Sequence, residues 1–151
     1  MKTLVLDEVE RFLGTSQPCL LLVHRDVGRL SEVADELLSI YDWSHLSVGR
    51  ELSVKLLSET SRRRSLVANQ WLKTRLSKSG SSPVLCTEVD LLFDPAFDLD
   101  PLNLFRHIGR VKRLVVTWPG IYQDHALSYA VPEHSHYRIW RRPAVPITVL
   151  E

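Results

Sequence analysis

A chain of 151 residues, 44% hydrophobic and 25% charged, has the balance of an ordinary globular protein and is long enough for one domain with one core. Its 19 basic and 18 acidic side chains leave a formal net charge of +1, which excludes a global pull toward nucleic acid or membrane; any such binding needs a local patch. Cys19 and Cys86 lie inside apolar runs without the paired spacing of a metal site, the usage expected of reduced thiols in a cytoplasmic protein.

Met1 to Leu13 interleaves charges with apolar residues, so neither a signal peptide nor a membrane span is expected there. Leu4, Val5, Val9, Phe12 and Leu13 recur at helical spacing and predict an amphipathic opening helix, ended by Gly14 and Pro18. Cys19 to Val23 is a continuous apolar run, the pattern of a strand covered on both faces. After the loop His24 to Arg29, Leu30, Val33, Ala34, Leu37, Leu38 and Tyr41 predict a second amphipathic helix. Trp43 to Val48 reads as a weaker strand, Glu51 to Ser58 as a helix, Arg62-Arg63-Arg64 as part of a helix-joining loop, and Ser65 to Ser77 as a longer helix. Ser77 to Pro83 is a serine-rich turn joining elements rather than domains.

The stretch Pro83 to Gly120 reads as the centre of the sheet. A strand is predicted over Val84 to Leu92 and broken by Asp94-Pro95, and a helix over Pro101 to His107 is capped by its preceding aspartates and closed by Gly109. A second buried strand runs from Arg113 to Trp118, stopped by Pro119-Gly120. Leu127 to Val131 and Tyr137 to Trp140, separated by prolines, read as edge strands or a hairpin beside the sheet. The alternation of strands and helices predicts a single α/β domain over residues 1–151 with a mostly parallel sheet, and polar groups at its strand ends are where such folds bind ligands.

Five groups of residues could carry chemistry. A phosphate-binding loop needs G-x-x-x-x-G-K-[ST], because amides around the glycines cradle phosphates, the lysine meets the terminal phosphate and the hydroxyl holds magnesium. Around His24 to Ser31, one register offers Gly28 and Arg29 and the other offers Ser31; neither keeps the whole set, and an ordinary strand-to-helix turn has the same composition. The acidic strand offers Thr87, Glu88 and Asp90, with Glu88 as the obvious base; alternatively these side chains face solvent or an arginine. Arg110 precedes the second buried strand, where an arginine could reach a phosphate or a neighbouring subunit, although a solvated basic face would look the same. His134 and His136 are two apart with no third ligand nearby, and Arg62 to Arg64 could meet nucleic-acid phosphates.

Glu88-Val89-Asp90-Leu91-Leu92-Phe93-Asp94-Pro95, Leu99-Asp100-Pro101-Leu102, Gly109-Arg110, Val115-Val116-Thr117-Trp118-Pro119-Gly120, Leu127-Ser128-Tyr129-Ala130 and Pro132-Glu133-His134-Ser135-His136-Tyr137 follow one another in a recognisable order, with Glu51-Leu52-Ser53 and Leu56-Leu57 upstream. In that order the chain resembles the BrxF family, small P-loop proteins of type 3 BREX (bacteriophage exclusion) defence systems of bacteria, over most of the span from Cys19 to Trp140. The resemblance implies a P-loop NTPase-like three-layer α/β/α fold with short C-terminal edge strands, ATP with magnesium as cofactor, and other proteins of the defence system as partners. A homo-oligomer is compatible with it, nucleic acid would be met through a larger complex, and no membrane is involved. Carried over, the loop falls on His24 to Ser31, matching Ser31 or else Gly28 and Arg29. The acidic position falls on Thr87 with Glu88 following, Arg110 takes the place of an arginine finger, and Thr117 that of a strand-end phosphate sensor. Both nucleotide motifs depart from the pattern, so the resemblance implies an accessory protein that is non-catalytic or a weak nucleotide binder. The competing expectations are an active ATPase using Gly28, Arg29, Ser31, Glu88 and Arg110, and a nucleic-acid-binding module led by Arg62 to Arg64.

Overall fold

The computed structural model describes residues 2–78, 83–130 and 134–151. Helix α1 (Lys2–Leu13) leads into β1 (Cys19–His24), α2 (Val27–Ile40), β2 (Ser44–Ser47), α3 (Val48–Leu56) and α4 (Ser61–Ser77). Then come β3 (Val84–Thr87), two 3-10 turns (Val89–Phe93 and Pro95–Phe97), α5 (Pro101–Gly109), β4 (Leu114–Gln123), β5 (Ala126–Tyr129), β6 (Arg138–Arg141) and β7 (Ile147–Val149). Strands β2, β3, β4, β1 and β7 lie side by side in that order, each parallel to its neighbour. β5 pairs antiparallel with the far end of β4, and β6 with β5, so the sheet is mostly parallel with an antiparallel extension.

The strands alternate between two cores because successive side chains leave a strand on opposite faces. Leu20 and Leu22 of β1, with Leu85 and Val115, pack under α1 (Val5, Val9, Phe12) and α2 (Leu30, Val33, Leu37). Cys19, Leu21 and Val23, with Cys86, Val116 and Trp118, pack under α3, α4 and α5. Helices therefore cover both faces of the sheet, which accounts for the uninterrupted apolar run of β1.

Four expectations from the sequence are corrected. Arg62, Arg63 and Arg64 belong to the first turn of α4 rather than to a loop. The strand predicted over Val84 to Leu92 ends at Thr87, because Glu88 takes a left-handed conformation (φ 52°, ψ 51°) that turns the chain into a 3-10 turn. Pro119-Gly120 does not stop β4: Pro119 falls opposite His24 at the last pair with β1, where its missing N–H is tolerated, and its carbonyl accepts from Ala130 N at 3.0 Å. Gly120 lets β5 approach so closely that a Cβ would overlap the Ser128 carbonyl. Ile147–Val149 adds a strand that the proline-rich tail did not suggest, paired with Leu21 to Val23 of β1. The turn read between Ser77 and Pro83 lies largely outside the described residues, as does Val131 to Glu133. None of the described helices is long and apolar enough to cross a membrane.

Candidate functional site

At the C-terminal ends of β1, β3 and β4 a cleft of about 300 Å³ opens between α2 and the segment after β3. Polar groups beyond the carboxyl ends of parallel strands are the usual ligand position of an open α/β sheet. Ser31, Thr87, Glu88 and Thr117, all singled out in the sequence, line it together with Asp35, His45, Arg50 and Asp90.

The wall after β3 is built with several constraints. Ser47, the last residue of β2, pairs in register with Thr87, and its hydroxyl donates to the Glu88 carboxylate. The Glu88 carbonyl accepts from Gly49 N at 2.8 Å, holding the left-handed turn against the start of α3. His45 Nε2 lies 2.8 Å from Thr87 Oγ1, and Thr117 Oγ1 donates toward the Cys86 carbonyl at 3.4 Å. Tyr129 Oη donates to Asp90 Oδ2 at 3.1 Å; burial, with Asp90 beside it, pushes the tyrosine pKa up. Thr87 and Thr117 are therefore buried hydroxyls engaged with protein partners, while Glu88 and Asp90 present exposed carboxylates.

The wall after β1 is different. Only Arg25 and Asp26 separate β1 from α2. Asp26 N donates to His24 Nδ1 at 2.9 Å, and Asp26 Oδ1 caps the helix by accepting from Gly28 N at 2.9 Å. Arg29 turns away from the cleft: its Nε donates to the Glu151 carbonyl at 2.9 Å, and a guanidinium nitrogen lies 3.6 Å from Glu32. Gly28 and Arg29 do not line the cleft. A carboxylate thus holds the Gly28 amide, and the residue in the lysine position is engaged elsewhere, so these residues do not fit the phosphates of a nucleotide.

Arg110 is the exposed C-cap of α5, four residues before β4 begins, at the opposite end of the strands from Glu88. The structure does not bring it to the cleft. His134 and His136 sit in a turn where His136 N donates to His134 Nδ1 at 3.0 Å. Among the described residues no group of three or more His, Cys, Asp or Glu side chains is arranged to hold a metal ion.

Asp35, His45 and Arg50 were missed by the sequence reasoning. Asp35 had a signal, since it follows Ser31 by one helical turn. His45 and Arg50 reach the cleft through the pairing of β2 with β3, which no local pattern announces.

No protein-family model, no curated protein and no solved structure matches the chain.

Proposed function

We propose that the chain is a P-loop NTPase-like accessory protein of a bacterial anti-phage defence system, of the BrxF kind, acting in the cytoplasm through contacts with other proteins rather than through ATP turnover. The order of motifs from Cys19 to Trp140 supports the family. The observation that carries the non-catalytic reading is the link between β1 and α2. A phosphate-binding loop offers several free amides to an anion. Here the link is reduced to Arg25 and Asp26, and its own carboxylate holds the Gly28 amide. A phosphate would have to displace Asp26 and approach a negative charge to reach that site.

The reading is tested by phage plating on a host that carries the defence system. Removing the chain is expected to abolish protection, whereas Arg29→Ala and Glu88→Gln are expected to keep it. Protection lost with either substitution in a folded protein would favour the ATPase. Unchanged plating without the chain would remove the defence role.

A further inference from the structure

The net charge of +1 conceals two oppositely charged helical layers. On one face of the sheet, α1 and α2 carry six acidic and three basic side chains. On the other, α3, α4 and α5 carry eight basic side chains and one acidic. α4 alone has Arg62, Arg63, Arg64, Lys73 and Arg75 and no acidic residue.

We propose that the layer formed by α3, α4 and α5 docks on the phosphate backbone of double-stranded DNA, without reading its sequence. α4 is the middle of that layer, since it shares one groove with α3, lined by Lys55, Arg63 and Trp71, and another with α5, lined by Lys73, His107 and Ile108. Along its outer side Arg62, Leu66, Gln70 and Lys73 follow at helical spacing, and all four are exposed. Arg62 and Lys73 are then roughly 17 Å apart at 1.5 Å per residue, a length of about five base pairs measured along the duplex axis.

The cations are available. Arg63 is paired with Glu59 at 3.7 Å and Arg75 with Glu51 at 3.0 Å, but Lys55, Arg62, Arg64 and Lys73 have no ion-pair partner among the described residues. The run at Arg62 to Arg64 also sits at the positive end of the α4 dipole, where cations are locally unfavourable, so helix stability does not account for it.

The shape of the layer selects the duplex. α4 runs between α3 and α5, and its outer Arg62 and Lys73, with Lys55 beside them, make a cationic track bordered by the acidic Glu59, Asp98 and Asp100. Single strands are held instead by aromatic platforms, and no aromatic is among the large hydrophobic side chains exposed on the described residues. The exposed Val54 of α3 and Leu57 just after it do not line the groove shared with α4, and Leu66 is the single exposed apolar side chain between Arg62 and Lys73, too little for an apolar seat for a protein segment.

The test is fluorescence anisotropy of a 20-base-pair DNA duplex of arbitrary sequence across a salt series. With Arg62 and Lys73 on the outer side of α4 and Lys55 beside them, the slope of log K against log salt is expected at about −2 to −3, from roughly −0.9 per phosphate neutralised. Arg62→Glu and Lys73→Glu, both at exposed positions, should each flatten the slope by about 0.9 and weaken binding several-fold. Arg11→Glu, the same charge change on the acidic layer, should do neither. Absence of salt-dependent binding, equal loss with Arg11→Glu, or tighter binding of the matching single strand would overturn the proposal. So would binding of poly-L-glutamate with no binding of the duplex, which would assign the layer to an acidic protein.

Discussion

The two turns that leave the sheet at the C-terminal ends of β1 and β3 differ in how their polar groups are spent. After β1 the chain enters α2 within two residues, and His24, Asp26 and Gly28 hydrogen-bond to one another, so the turn is complete in itself. After β3 the chain is held by other elements: Ser47 of β2 and Gly49 of α3 grip Glu88, and Tyr129 of β5 grips Asp90. The first arrangement commits the Gly28 amide to the chain's own carboxylate. The second leaves Glu88 and Asp90 exposed on a rigid wall, so the recognition capacity of the cleft lies with β2, β3 and α3 rather than with the loop where a phosphate would bind.

The largest effect is expected in the strand between the two turns. Trp118 of β4 is fully buried against Phe93, Phe105 and Trp140, and its Nε1 donates to the Ser128 carbonyl at 2.9 Å. Trp118→Ala should cost about 3–5 kcal/mol in denaturant unfolding and loosen both walls. Gly49→Ala tests the wall after β3 alone. Its Cβ would lie 3.0 Å from the Glu88 carbonyl oxygen, and the backbone shift needed should cost about 1–2 kcal/mol. Asp26→Ala tests the wall after β1. Loss of the α2 cap should cost about 1 kcal/mol while leaving the Glu88 turn intact, as protection of the Gly49 amide from hydrogen exchange would report.

The last comparison concerns the thiols of the two strands themselves, whose effect appears only at alkaline pH. Burial pushes both Cys19 and Cys86 up to about 12, so neither should react with a thiol reagent at pH 8 until the protein unfolds. The sign for stability follows. The unfolded chain releases these protons near its ordinary thiol pKa and the folded chain does not, so their contribution is fully present below about pH 8.5 and is lost as pH rises toward about 12. A denaturation midpoint that rose over that interval would contradict the buried placement.

The sequence made the middle of the sheet legible and its margins obscure. β1 and β4 could be read because strands covered on both faces are apolar without interruption, whereas β7 is three residues just after Pro143 and Pro146 and is defined by its pairing with Leu21 to Val23. The start of α4 was hidden because three arginines in a first turn oppose both amphipathic spacing and the helix dipole. In the cleft, Ser31, Thr87, Glu88 and Thr117 were found because strand ends and helix starts are visible in sequence. His45 and Arg50 were not, because they are delivered by strand register. The role of Asp26 was also obscure: it is the helix cap that takes the Gly28 amide.

Calorimetric titration of the protein with magnesium-ATP tests most directly whether the β1 turn is closed. No saturable heat is expected for the native sequence, since Asp26 holds Gly28 and Arg29 is engaged with Glu151. Saturable binding that disappears with Arg29→Ala would show the turn to be a working phosphate loop and would contradict this account.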